Sequence, residues 1–380
     1  MGNKILFTAS SYEHIRHFHL PYLRIFSDMG WRVHVGCAGV PDNIPYAEKT
    51  FCLPFRKSLC SVSNFYSAYL LRNIIEDERY SLISTHTSLA AFFTRLSLQG
   101  KSKGRPKLVN TVHGYLFDEN THFLKRNLLL YAEKMMAENT DLIMVMNHAD
   151  ESIARENALC SRIARIPGMG VLFSRFDDAE FGEKEAARQK LSIPVNAFVM
   201  IYPAEFSKRK NQEFLIRAMP RLPDNVILIL PGSGVYRDKC YQLAENLRLL
   251  NRVRFPGHVR DVGAWFTAAD VSVSASRIEG LPFHVIEAMH MGLPVIASDV
   301  KGNQDLIQHE TNGLLYPFGN ESRFTDSVLR LMSDSTLRQN LSKRAKNDAE
   351  CYGLNHVLPI VMRKYEHLMG EGCFKLASND

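Results

Sequence analysis

SRIEGLPFHVIEAMHMGLPVIASD, residues 276–299, compresses a tight turn, a helix and a strand into one run. Gly280 and Pro282 make the bend, since glycine accepts unusual φ values and proline suits a first helical turn. From Phe283 to Met291 the pattern is helical, and Gly292 ends it. Val285, Ile286 and Met289 share one face, which is expected to pack on a sheet, and Glu287 points to roughly the opposite side. A strand, Leu293–Ser298, follows. Two carboxylates, Glu279 and Glu287, thus flank the turn and the start of the helix.

The same alternation extends outward in both directions. In the first half, Ile5–Thr8, Arg32–Gly36, Leu82–Ser84, Leu108–Val112 and Leu142–Met146 read as strands, apolar without alternation, as strands buried on both faces should be. Helices are expected between them, including His14–Met29, stopped by Gly30, and Phe123–Glu138. The second half repeats the scheme with strands Phe198–Tyr202, Val226–Leu230, Arg252–Phe255, Val271–Ser274 and Pro294–Ala297. Strand–helix alternation implies an α/β fold of two Rossmann-like domains, residues 1–175 and 176–354, with parallel sheets facing an interdomain cleft. The linker is placed near Pro167–Asp178, and the helix at 355–370 is expected to pack back on the first domain. Ligands of open α/β sheets bind beyond the carboxyl ends of the strands, which makes that cleft the expected site.

The chain has 380 residues, 46% hydrophobic and 23% charged, as in a soluble globular enzyme with two cores. The N-terminal MGNKILFTAS is too short in apolar residues for a signal peptide, has Leu6 where a myristoylation motif needs Ser or Thr, and no stretch approaches a spanning helix. Seven scattered cysteines without a C-x-x-C pair point to reduced thiols in a cytoplasmic protein. Residues 1–175 hold 21 basic and 15 acidic residues, whereas the remainder holds 25 of each. That asymmetry is either ordinary surface composition or the mark of an anionic partner, such as a phospholipid surface or a diphosphate-bearing substrate.

The N–H groups at the start of the 283–291 helix form an anion site. A diphosphate there would leave a sugar near Glu279 and a ribose within reach of Glu287, because a carboxylate accepts hydrogen bonds from both hydroxyls of a vicinal diol. The plainer alternative makes Ser276-x-x-Glu279 a capping box and Glu287 an exposed helix residue.

E-G-L-P-F-x-x-x-E-A-M-x-x-G-x-P-V-I-A-S-D closely resembles the signature of the retaining family-four glycosyltransferases of GT-B fold. Phe255–Ser276, Gly302–Pro317 and Ile166–Phe176 resemble the runs that surround it in that family. KILFTAS and NTVHGYLF (Asn110–Phe117) are similar to the branch that builds capsules, exopolysaccharides and O-antigens. The resemblance implies that Glu279 contacts the transferred sugar, that Glu287 holds the ribose, and that backbone amides of Gly280, Leu281, Pro282 and Phe283 surround the phosphates or sugar. It makes Lys210, in SKRKNQEFLIRA, the cation of the diphosphate, with Arg209 and Lys208 as rivals. His258 and Val259 join the donor-binding set, and His113, in T-V-H-G, lies close to the donor sugar, so that His113, Glu279 and Lys210 form the catalytic group. Glu205 stands where many relatives carry arginine, and Arg209 is the candidate replacement. Ser10 and Ser11 replace the family's first-loop glycines. His86 has a placement like that of His113, whereas His14, His17 and His19 read as helix-surface residues, with room for one of them to face the cleft.

The resemblance further implies front-face substitution with retention, the leaving phosphate helping to deprotonate the acceptor. No carboxylate can be assigned to a double displacement. The chain contains no D-x-D triplet, so metal-independent diphosphate binding is expected and no cofactor beyond the co-substrate. The expected donor is a UDP-hexose or UDP-N-acetylhexosamine, and the acceptor a lipid-diphosphate-linked saccharide at the inner leaflet. HIRHFHLPYLRIF (14–26) and HFLKRNLLLYAEKMM (122–136) are either core-packed helices, the commoner case, or segments that lie on an anionic membrane surface. A sugar-nucleotide epimerase of the same fold is the enzymatic alternative. A dehydrogenase is weaker, because PGSGVYR (231–237) has Arg237 where the third glycine belongs. QGKS (99–102) lacks the leading glycine of a P-loop, and KSKGRPK (101–107) is a short basic run without interleaved aromatics, so no nucleic-acid partner is expected.

Overall fold

The computed structural model describes residues 2–41, 43–56, 58, 61–100, 104–119, 121–176, 183–370 and 373–374. The first three residues of the KSKGRPK run, and Asp177 and Asp178 at the end of the expected linker, lie outside the described residues. The chain divides into two compact units, residues 1–170 together with 355–380, and residues 171–354. The boundary therefore falls between Gly170 and Val171 and not after residue 175.

The first unit is built on seven parallel strands: β1 (Lys4–Ala9), β2 (Arg32–Cys37), β3 (Lys49–Cys52), β4 (Leu82–His86), β5 (Lys107–Val112), β6 (Leu142–Val145) and β7 (Ile163–Arg165). Their order is β3-β2-β1-β4-β5-β6-β7. The second unit has six parallel strands: β8 (Phe198–Ile201), β9 (Val226–Pro231), β10 (Val253–Gly257), β11 (Val271–Ser274), β12 (Val295–Ser298) and β13 (Leu314–Tyr316), ordered β10-β9-β8-β11-β12-β13. Central strands such as β4, β8, β9, β11 and β12 are buried at every residue, and in β8 (FVMI) and β9 (VILILP) this gives an unbroken apolar run.

The expected single helix at 14–29 is two helices, Tyr12–Phe18 and Leu20–Asp28, hinged at His19 (φ −121°, ψ −9°). Pro21 has no N–H to donate to a preceding turn, so it is accommodated in the first turn of a new helix. Nor is this segment a surface: Ile15, His19, Tyr22, Leu23 and Phe26 are all fully buried. Its apolar side is core, so of the two readings open for residues 14–26 the core-packed helix is the one observed.

The helix Leu354–Met369 belongs to the first unit from Asn355 onward. Tyr365 is fully buried there, its hydroxyl 2.7 Å from Ser84 Oγ and its ring 5.4 Å from Phe26.

Candidate active site

In the second unit β8 and β11 are neighbours, and the loops at their carboxyl ends meet. The loop after β8 carries Arg209 and Lys210, and the turn after β11 carries Ser276 and Glu279. Glu279 Oε1 accepts from Lys210 Nζ and from Ser276 Oγ (2.5 Å), while Oε2 accepts from Arg209 Nη1 at 2.6 Å. Tyr202, the residue after β8, places its hydroxyl 2.7 Å from Ser276 Oγ and donates to the Lys210 carbonyl at 3.1 Å. Arg277 N donates to the Arg209 carbonyl at 2.9 Å, so backbone and side chains together fix the two loops.

Glu279 is buried. Burial alone would raise its carboxyl, but the Lys210 and Arg209 cations outweigh that effect and hold it down at about 2. Lys210, equally buried, is pulled below its ordinary value by desolvation even with Glu279 beside it. The cluster holds one carboxylate against two cations, with Arg209 exposed at its rim.

Helix Phe283–His290 starts directly after this turn, and no side chain caps its N terminus. Ser276 bonds Glu279 side chain to side chain and does not cap the helix, so the capping-box alternative does not hold. Leu281 is buried and Phe283 half-buried at the helix start. Gly302 lies against the turn with φ +82°, where a Cβ would fall 2.7 Å from the Gly280 carbonyl oxygen and 2.9 Å from Glu279 Cβ. Only a glycine lets the loop after β12 approach this closely.

Glu287 is not an exposed helix residue. Residues 284–289 are all buried, and Glu287 accepts from Arg175 Nη2. Desolvation raises its carboxyl, with Arg175 acting in the opposite sense. The Arg175 guanidinium also lies 4.7 Å from the Phe176 ring centroid. His284, on the same helix, is buried with Nε2 unpartnered among the described residues, and burial followed by the Lys210 charge lowers it to about 3.

The structure thus brings Arg209, Lys210 and Glu279 together, with Gly280–Phe283 as the connecting turn and Glu287 one helix face away. His258 and Val259 follow β10, which β9 separates from β8, and none of the hydrogen bonds of the Glu279 group involves them. His113 belongs to the first unit, just beyond β5, its Nε2 3.3 Å from His86 Nδ1. Ser11 caps helix Tyr12–Phe18 by accepting from His14 N, and Ser10 N donates to Thr87 Oγ1. Glu205 is exposed, and its carbonyl accepts from Gln212 Nε2. Sequence reasoning does not single out Tyr202, His284 or Arg175, and it reads Ser276 only as a helix cap. Ser276 alone had a local signal, three residues before Glu279.

The Gly232-x-Gly234 turn has a structural explanation. A Cβ at Gly232 would lie 2.1 Å from the Ala204 carbonyl oxygen, and one at Gly234 2.5 Å from that of Phe206, both at positive φ. Ala204 N donates to Pro231 O and Phe206 N to Ser233 O across this approach. These glycines pack backbone against backbone, which removes the feature that favoured a dehydrogenase.

Residues 183–348 match the glycosyl transferases group 1 family and residues 23–168 match Glycosyltransferase Family 4. The chain is 31% identical over 357 residues to the putative glycosyltransferase EpsD of Bacillus subtilis, covering 92% of each. It is 24% identical over 315 residues, 80% of each, to the UDP-Gal:alpha-D-GlcNAc-diphosphoundecaprenol alpha-1,3-galactosyltransferase of Escherichia coli. In fold it is similar to Anabaena Alr3699/HepE solved with UDP and glucose (TM-score 0.77, 20% identity, 96% of this chain and 100% of that one). A sucrose-phosphate synthase from Thermosynechococcus elongatus gives a TM-score of 0.79 at 20% identity, covering 96% of this chain and 99% of that one.

Proposed function

The chain belongs to the group 1 glycosyltransferases, with their GT-B fold, and on that premise we propose that it moves a hexose or N-acetylhexosamine from UDP to a lipid-linked saccharide in surface polysaccharide synthesis. The observation that carries this reading is the Lys210–Glu279–Arg209 cluster at the carboxyl ends of β8 and β11. A departing nucleoside diphosphate accumulates negative charge, and cations already fixed in place stabilise it without reorganising. Lys210 and Arg209 supply that charge, Arg209 taking the part that Glu205 cannot play. Glu279, ionised and tied to both cations, orients them and accepts hydrogen bonds from hydroxyls of the transferred sugar.

Glu287 holds the ribose on this reading, and the diol replaces the Arg175 guanidinium. Substitution proceeds on the front face, because no side chain is assigned as nucleophile, and the leaving phosphate takes the acceptor proton. His113 is assigned contact with the transferred sugar by family resemblance alone, and His258 and Val259 stand as donor-binding residues on the same ground. The galactosyltransferase relative, named for its UDP-galactose donor and diphosphoundecaprenol-linked acceptor, supports the UDP and lipid-linked parts of the proposal.

A membrane-facing surface is supported by helix Phe123–Met135, none of whose residues is buried. Leu124, Leu128, Tyr131 and Met135, spaced four, three and four apart, form one exposed stripe, with Phe123 also exposed. Lys125, Arg126 and Lys134 on the same helix suit anionic headgroups. Beside it lies a cavity of about 130 Å³ lined by Leu89, Phe92, Tyr115, Leu116, Phe117 and Leu129. No helix among the described residues is long and apolar enough to cross a membrane, so attachment at the inner leaflet would be peripheral.

The test is thermal unfolding with UDP, GDP, ADP and NAD. At ~100 times Kd a ligand adds about 2.7 kcal/mol of stability, a rise of a few degrees. UDP alone should give it. A shift with GDP or ADP changes the donor, and a shift with NAD alone overturns the transferase reading.

A further inference from the structure

Four histidines gather within the first unit. His86 ends β4, His113 follows β5, His14 lies on helix Tyr12–Phe18, and His19 is the hinge to the next helix. Ring centroids of His19 and His86 are 3.8 Å apart, those of His14 and His113 4.7 Å, and those of His86 and His113 5.5 Å. His14, His19 and His113 each offer a ring nitrogen, and the three atoms lie within 4.8 Å of one another.

Three of these ring nitrogens have no hydrogen-bond partner among the described residues. His19 is fully buried, yet both its ring nitrogens lack a hydrogen-bond partner among the described residues, as does the buried Nε2 of His14. Native interiors rarely leave such groups unsatisfied, and a cluster of them calls for an explanation such as a bound water or ion. His86 differs, because its Nε2 is 3.0 Å from Ser84 Oγ, which is itself 2.7 Å from the Tyr365 hydroxyl, and its Nδ1 is 3.3 Å from His113 Nε2. It therefore orients His113, as an outer-shell partner orients a metal-ligating imidazole.

Converging imidazole nitrogens are what a borderline-soft divalent ion selects, whereas Mg²⁺ and Ca²⁺ require oxygen ligands.

We propose that His14, His19 and His113 bind one divalent transition-metal ion of the zinc class, with His86 as outer-shell support and the fourth position left to water or an anionic oxygen. Zinc–imidazole distances of about 2.0–2.1 Å place tetrahedral ligands about 3.4 Å apart. The rings close on the ion by small rotations, led by the half-exposed His14. This site lies in the first unit, shares His113 with the proposed contact to the transferred sugar, and is not the diphosphate bridge that a D-x-D triplet would build.

The test uses the full chain, stripped with a chelator and titrated with Co²⁺ while its visible d–d absorption is followed. Stoichiometric binding is expected, reversed by Zn²⁺ and untouched by excess Mg²⁺. His14→Gln and His19→Gln should each weaken Co²⁺ binding at least about a hundredfold, and Ser84→Ala, acting through His86, about tenfold. Zn²⁺ should raise the melting temperature of the wild type and not of His14→Gln. If His19→Gln fails to fold, His14→Gln decides the matter alone. The proposal is overturned if the folded wild type binds no stoichiometric Co²⁺, or if His14→Gln binds it as tightly as the wild type, which would place the ion on surface histidines.

Discussion

Lys210 donates to Glu279 across the gap between the loops that leave β8 and β11, and both residues are buried. Removing one member of a buried ion pair strands the other charge, at a cost on the order of 3–5 kcal/mol. Lys210→Ala should therefore lower both stability and transfer rate, whereas Arg209→Ala, at the exposed rim, should lower transfer with little change in stability. Denaturant unfolding beside a UDP-sugar turnover assay separates the two. Equal loss of stability in both variants would contradict the assignment of Lys210 as the buried anchor.

Acid should dissolve this cluster late. Glu279 is depressed from its ordinary 4.5 to about 2, so its folded state binds a proton less readily than its unfolded state. The stability it contributes is fully present above pH ~4.5 and is lost as pH falls toward ~2. Glu279→Gln should flatten the stability profile of the second unit across that window. The measurement is melting temperature against pH, and parallel curves for variant and wild type would argue against an ionised Glu279.

Glu287 and Arg175 should respond differently to the nucleotide. A hydrogen bond to a charged group contributes about 1.5–3 kcal/mol, so Glu287→Ala should weaken UDP binding by roughly tenfold to a hundredfold. Arg175→Ala removes the competing guanidinium and should retain UDP binding. Calorimetric titration of both variants reads this directly, and an equal loss in the two would make Arg175 the nucleotide contact.

On helix Phe123–Met135, Leu128→Ser with Tyr131→Ser should reduce sedimentation with anionic vesicles about tenfold or more, because each buried side chain contributes about 1.5–3 kcal/mol. Turnover on a short soluble acceptor should not change. Vesicle binding that survives the double substitution would locate the surface elsewhere.

Central strands were legible because burial on both faces leaves a bare apolar run, as in VILILP of β9. The strands that escaped notice, β3, β7 and β13, are edge strands of three or four residues, KTFC, IAR and LLY, each paired on one side only. A run of three or four residues is too short to stand out from the loops around it. At the site, Glu279 and Glu287 were legible from the turn and helix between them. Arg175 was not, since it reaches Glu287 from 112 residues away and nothing local marks it. His19, expected on a helix surface, is instead fully buried at the break between two helices. The proline two positions on, which breaks the helix and turns that ring inward, was the available signal.

The helix Leu354–Met369 gives the first unit a seam that the second lacks. A ribosome releases the second unit's strands as one uninterrupted stretch, whereas the first unit must wait with Ser84 and Phe26 uncovered until Tyr365 emerges. The segment made first is thus completed last, and a chain stopped before Leu354 would leave its defect in the unit that began synthesis, as an exposed core open to chaperones and proteases.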